Sequence, residues 1–283
     1  MQQAVHDLVN GIDELASLPG VCGQVAALTE DPAAANRDLA RLIGQDPGLS
    51  LKILRLANSA FYGRVKDVET IEQAVNIIGM QRLRDIVLGT AAIDTFNGIR
   101  NELVSMEDFW MHSLYCAIAS RLLANTMRHP RAESVFVAGL LHDIGQLVLF
   151  HERPEQSRET LLLTIEDLSE PDMVEAEQQV FGFDHCQIGA VLAEKWGLPE
   201  MLTAAILYHH APEKTRQHQQ EVALVHIGNR LAAMAELDEI TADEVQRIHP
   251  GAWATLGLSE DIIPEVMRLA QEQFVDVRGL FLS

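Results

Sequence analysis

Cysteine is scarce in this chain. Cys22, Cys116 and Cys186 are far apart, odd in number and without CxxC spacing. That pattern counts against a disulfide framework and suits reduced thiols in a cytosol. Positive charge is scarce as well. Lys and Arg number 21 against 41 Asp and Glu, for a formal net charge of −20. A diffuse acidic surface repels phosphate backbones, which counts against generic nucleic-acid binding. It favours solubility and a basic partner, and it leaves room for a small anionic ligand wherever a local metal overrides the global field. No uninterrupted apolar run approaches ~20 residues, so no membrane span is expected. Met1-Gln2-Gln3-Ala4-Val5-His6-Asp7 has neither a basic n-region nor an apolar h-region, so no signal peptide is expected. Low-complexity tracts, internal repeats and strand-like alternation are missing too.

What is present has the helical period almost throughout. The expectation is an all-α chain in two helical lobes, residues 1–104 and residues 105–283. In the first, residues 1 to about 17 read as a helix ending near Leu18-Pro19-Gly20, and Asp31-Pro32 opens a third helix. Asp46-Pro47 is an N-cap with Pro at N1, and Thr70-Ile71-Glu72-Gln73 is a capping box. Helices this short cannot stand alone in water and must pack together. Asn97-Gly98 to Ser105 is the expected hinge. A long helix then starts at Ser105 and ends near Met127, and another runs from about Ala132 to Phe150. His151 to Arg158 reads as a polar connection, followed by helices from about Glu159 to Leu168, Pro171 to Phe181, His185 to Trp196, Glu200 to His210 and Gln219 to Glu236.

The stretch Val137 to Val148 organises the second half. It is apolar on most of its circumference, with His142-Asp143 in its middle. Burying a carboxylate and an imidazole costs several kcal/mol unless each finds a partner, and a metal ion is one such partner. Gly139 and Gly145 leave room for other helices to come close. More histidines fall on neighbouring helices: His112, one turn after Asp108, then His185 and His209-His210. Hard or borderline divalent metals want imidazole and carboxylate from several elements, and this set supplies both. Each residue also has a plain alternative. Asp108 is the N3 residue of a capping box, His185 follows an N-cap, and His209 and His210 sit where a helix dipole favours cations. The metal set expected to share one pocket is His112, His142, Asp143, His185, His209 and His210.

The order His112, His142-Asp143, His185, His209-His210 resembles the HD superfamily of metal-dependent phosphohydrolases, most of all its HD-GYP branch. The first lobe is similar to the HDOD (HD-related output domain) family in Leu18-Pro19, in Ile43 to Ser50, in Ile53 to Gly63 and in Ile71 to Gly79. The resemblance covers roughly residues 15 to 235. It implies a bacterial, cytoplasmic, all-helical signalling output protein without an established activity. It also implies one or two divalent ions, such as iron or manganese. The implied partner is a signalling protein or a small phosphorylated ligand, with no nucleic acid and no membrane. Two departures bear on catalysis. Gln146 stands where HD-GYP enzymes carry a phosphate-holding lysine, and Asn229 stands where the superfamily has its last aspartate ligand. The GYP signature is missing. The leading expectation is therefore a ligand- or partner-binding regulator. The competing one is a working phosphohydrolase on a nucleotide or cyclic dinucleotide, with Asp143 bridging the metals and an activated water attacking phosphorus. A third, DNA binding through the first lobe, has only scattered basic residues (Arg55, Arg64, Lys66, Arg82, Arg84) to rest on.

Overall fold

A computed structural model describes residues 2–12, 20–31, 33–59, 68–97, 103–165, 173–237, 240 and 242–281. Among these residues the chain is all-α, with no strand. The first helices are α1 (Gln2–Asn10), α2 (Gly20–Glu30), α3 (Asn36–Ile43), α4 (Pro47–Ala57), α5 (Ile71–Ile78) and α6 (Met80–Asn97). Then come α7 (Met106–Thr126), α8 (Ala132–Leu141), α9 (Ile144–Glu152), α10 (Pro154–Ile165), α11 (Met173–Phe181), α12 (His185–Lys195) and α13 (Glu200–Tyr208). The chain closes with α14 (Gln219–Glu236), α15 (Ala242–Gln246), α16 (Pro250–Leu256) and α17 (Ile263–Phe281).

Local chemistry sets several of these boundaries. Asp46 accepts the Leu49 N–H at 3.0 Å with Pro47 at N1. Thr70 and Gln73 form the expected capping box at α5, and Asp184 with Gln187 forms another at α12. Ser105 caps α7 through the Asp108 N–H. Four expectations need correction. The first helix, expected to run to about residue 17, ends at Asn10, with Gly11 and Ile12 outside it. The third helix opens at Asn36 rather than at Asp31-Pro32. The connection after His151 is largely helical, because Pro154 presets the first turn of α10. The helix expected from Ala132 to Phe150 is two helices, α8 and α9, broken at His142 and Asp143. By length and composition residues 132–152 pass for a membrane span, yet 83% of their apolar window is buried inside the protein, as befits a core helix. The motif residues Leu18-Pro19 and Ala60 to Gly63 and most of the hinge after Asn97 lie outside the described residues.

α7 is the central post. α8, α14 and α17 all pack on it. Gly139 makes the α7–α8 approach close, since a Cβ there would stand 2.8 Å from the Ala117 Cα. Gly145 does the same for α9 and α12, where a Cβ would overlap the His185 carbonyl oxygen. One buried apolar cluster runs from Val5 in α1 to Val277 in α17. The early helices join the later ones through α6 against α8 and α1 against α12, where Lys195 donates to the Val9 carbonyl at 3.1 Å. This packing brings the α8–α9 break, the start of α12, the end of α13 and the faces of α7 and α14 to one place.

Candidate metal centre

The break between α8 and α9 has a purpose in the geometry. His142 is the C-cap of α8 and Asp143 the N-cap of α9, so the carboxylate leaves the helix wall and points into the cluster. Asp143 lies at its middle. Its Oδ1 is 3.3 Å from His185 Nε2 and 3.2 Å from His209 Nε2. Its Oδ2 is 3.1 Å from His142 Nε2 and 3.9 Å from His112 Nε2. Four imidazoles from four parts of the chain therefore surround one carboxylate. His142, His185 and His209 have no exposed surface.

The tautomers follow from the other ring nitrogen. His142 Nδ1 is 2.8 Å from the Gly139 carbonyl, and His209 Nδ1 is 2.8 Å from the Ile206 carbonyl. A carbonyl only accepts, so both Nδ1 atoms carry protons. His185 Nδ1 lies 2.6 Å from Glu177 Oε2, which also accepts the His185 backbone N–H at 2.8 Å. His112 Nδ1 lies 2.6 Å from Glu236 Oε1, and its Nε2 is 2.9 Å from Asn229 Oδ1. In the neutral form His142, His185 and His209 thus aim Nε2 lone pairs at a carboxylate. His142 Nε2 and Asp143 Oδ1 are buried and make no well-formed hydrogen bond. Lone pairs facing lone pairs repel, and a cation between them removes the conflict.

Protons are the other remedy. Burial pushes the Asp143 carboxyl up, but the His142 imidazole, aided by the nearby His185 and His209 rings, outweighs it and holds the group well below the usual carboxylate range. Burial pushes His142 down, and the Asp143 carboxylate and the Cys116 sulfur outweigh it, leaving it well above the ordinary histidine value. His185 is raised in the same way: burial opposes, and Cys186, Glu177 and Asp143 prevail. His209 is raised against burial by Cys186 and Asp143. His210 goes the other way, pushed well below the ordinary value by burial and by the neighbouring His209 and His185.

His112, His142 and Asp143 form one compact ligand group, and His185, Cys186, His209 and His210 form a second, each with its donor atoms within 4.8 Å of one another. The six residues of the expected metal set are divided between these two groups. His210 stands in the second group, its ring centroid 4.3 Å from that of His209. Sequence reasoning did not single out Glu177, Cys186, His226 or Glu236. His226 Nδ1 donates to the His209 carbonyl at 2.7 Å, and its Nε2 accepts the His249 N–H at 2.9 Å. Burial pushes His226 down to about 4, so it stays neutral and keeps both roles. Cys186 had a signal in its adjacency to His185. Glu177 and His226 had none, because both act across helices.

The cluster opens into a cavity of about 850 Å³. His112, Asp143 and Gln146 line its floor, and Phe109, Tyr115, Phe150 and Phe274 contribute to its walls. Phe274 belongs to α17, which is fixed on α7 by the Tyr115 hydroxyl donating to the Met267 carbonyl at 3.1 Å. Asp108 gives its backbone N–H to the Ser105 cap and lines the same cavity.

The HDOD domain model matches residues 15–212, well over half of the chain. The chain belongs to the HDOD family. Its fold superposes on an HDOD domain protein of unknown function from Geobacter sulfurreducens with a TM-score of 0.79, 26% identity and coverage of 100% and 98% of the two chains. A Shewanella amazonensis SB2B protein described as "Putative phosphohydrolase" matches with a TM-score of 0.76 and 24% identity over 97% of each chain. At that identity the likeness speaks for the fold alone. An uncharacterized protein of Treponema pallidum (strain Nichols) is 26% identical over 223 residues, 78% of this chain and 43% of that protein. The HDOD chain thus spans less than half the length of that curated relative.

Proposed function

We propose that this HDOD protein is a bacterial, cytoplasmic signalling component. Its HD-type cluster holds one or two divalent ions, and the cavity above receives a ligand whose presence is passed to a partner protein. One observation carries the metal reading: His142, His185 and His209 each commit Nδ1–H elsewhere and turn Nε2 toward Asp143. His112, His142 and Asp143 would hold one ion, and His185, His209 and His210 a second, with Asp143 between them. Such an ion supplies Lewis acidity and a water of lowered pKa.

Turnover needs more than that. A phosphate must be gripped and aligned, and positioning is worth up to ~7–11 kcal/mol of barrier in favourable cases. Gln146, on the cavity floor, donates only neutral hydrogen bonds, roughly half as strong as charge-assisted ones. Asn229 brings no negative charge beside His112. Both departures favour a site that binds over one that hydrolyses.

The test is an assay of the purified chain with Mn²⁺ or Fe²⁺ against a panel of cyclic and linear phosphodiesters, with metal content measured in parallel. Bound metal and no turnover above the metal-only blank is the expected result. Robust turnover that disappears in Asp143→Ala would replace this reading with the phosphohydrolase one.

A further inference from the structure

Asp143 Oδ1 of the first ligand group and the Nε2 atoms of His185 and His209 of the second define a face. Asp143 Oδ1 to His185 Nε2 is 3.3 Å, Asp143 Oδ1 to His209 Nε2 is 3.2 Å, and His185 Nε2 to His209 Nε2 is 3.5 Å. With metal–nitrogen and metal–oxygen bonds of about 2.0–2.1 Å, tetrahedral corners stand about 3.3 Å apart. A sulfur atom lies at the His185 corner of that face, 4.0 Å from His209 Nδ1. Cys186 Sγ is 3.4 Å from His185 Nε2, where a tetrahedral nitrogen–sulfur edge with a metal–sulfur bond of ~2.3 Å spans about 3.5 Å. The thiol is not an isolated cysteine. It sits among side chains with no exposed surface and against His185 Nε2, which itself stands 3.3 Å from Asp143 Oδ1, a buried atom without a well-formed hydrogen bond. The start of α12 delivers it: the Asp184–Gln187 capping box fixes the first turn, and Glu177 pins the adjacent His185 through backbone and ring.

We propose that Cys186 is a metal ligand, its thiolate taking the place given above to His210 and joining His185, His209 and Asp143 in a four-donor site for a borderline ion such as zinc. The inference rests on the metal reading above and adds the identity of the donor and of the ion it selects. On binding, the Sγ–H bond breaks, the proton leaves to solvent, and the sulfur lone pair forms the bond to the metal with no change of oxidation state. A thiolate among imidazoles favours zinc, cobalt(II) or iron(II) over manganese or magnesium, which prefer oxygen donors. The two halves of the cluster then differ in kind. The His112–His142–Asp143 half has only nitrogen and oxygen donors, and the Cys186 half is mixed.

The full chain, stripped of metal with a chelator and kept reduced, is titrated with Co²⁺. A near-ultraviolet thiolate-to-cobalt charge-transfer band should appear with the first equivalent. It should vanish in Cys186→Ser and persist in Cys22→Ser and Cys116→Ser. Should Cys186→Ser fail to fold, X-ray absorption on the zinc-loaded native chain decides instead, with a sulfur scatterer expected at about 2.3 Å. Cobalt bands in the visible without the near-ultraviolet band, or a zinc shell of nitrogen and oxygen alone, would overturn the Cys186 assignment and leave the metal reading standing. Failure to bind either ion would overturn both.

Discussion

Glu177 Oε2 accepts two hydrogen bonds from His185, one from the backbone N–H at 2.8 Å and one from the ring Nδ1–H at 2.6 Å. The carboxylate fixes both the start of α12 and the tautomer of the ring, and it makes Nε2 a stronger donor. Glu177→Gln keeps the size and weakens the acceptor. Metal affinity is expected to fall about 10–100-fold, the usual cost of losing such an outer partner. Competition with a chromophoric chelator measures it. An unchanged affinity would mean that His185 needs no support from Glu177.

Metal and protons compete for the same lone pairs, which fixes the sign of a pH effect. In the metal-free protein His142, His185 and His209 are raised against the pull of burial, and Asp143 is lowered against it. A raised histidine stabilises the fold fully below its unfolded value of about 6.5, and that contribution is lost as pH climbs through the folded value. A lowered aspartate stabilises above about 3.9, and its contribution is lost as pH falls through the folded value. The metal-free fold therefore gives up stability on the alkaline side, where the metal meets least proton competition. Metal at a hundred times its dissociation constant adds about 2.7 kcal/mol. The rise in Tm on adding Zn²⁺ should grow with pH from the acid range upward, as scanning calorimetry would show. A rise that shrinks with pH contradicts the cluster as binding site.

Two glycines in helices should respond oppositely to the same substitution. A Cβ at Gly145 would overlap the His185 carbonyl oxygen, so α9 and α12 must separate. Gly145→Ala is expected to cost at least the ~1–3 kcal/mol of ordinary overpacking. Gly23 in α2 is exposed, with nothing within 4 Å of a Cβ. Gly23→Ala should gain about 0.4–1 kcal/mol by restricting the unfolded chain. Urea denaturation of both variants checks the pair.

These contrasts show where sequence reading succeeds and where it stops. Asp46-Pro47, Thr70 with Gln73, and Asp184 mark helix starts that the structure keeps, because a cap is settled within four residues. The break at His142-Asp143 left no mark in an apolar run, since it is imposed by what the two side chains meet across the fold. Pro154 was read as part of a connection because polar residues surround it, although proline also opens helices. The six metal-set residues were legible through their order and family resemblance. Glu177 and His226 were not, because each acts on a histidine carried by a different element, whereas the signal for Cys186 lay in its place next to His185.

Two substitutions would restore what catalysis requires. Gln146 lines the cavity floor with Asp143 and His112, one turn into α9, and a lysine there could extend into the same space. Its full charge would grip a phosphate oxygen as a neutral amide cannot. Asn229 Oδ1 is 2.9 Å from His112 Nε2, so an aspartate at this position would place a carboxylate beside the first ligand group. The two changes act on different terms. Gln146→Lys supplies substrate charge, and Asn229→Asp adds negative charge that holds a cation. Alone, Asn229→Asp should tighten metal binding without turnover, and Gln146→Lys should weaken it slightly by repulsion. Together, with Mn²⁺ or Fe²⁺, they should give phosphodiester hydrolysis above the native chain, and Asp143→Ala in that background should remove it. A double variant that binds metal and hydrolyses nothing would show that these two positions are not what separates this cavity from a catalytic one.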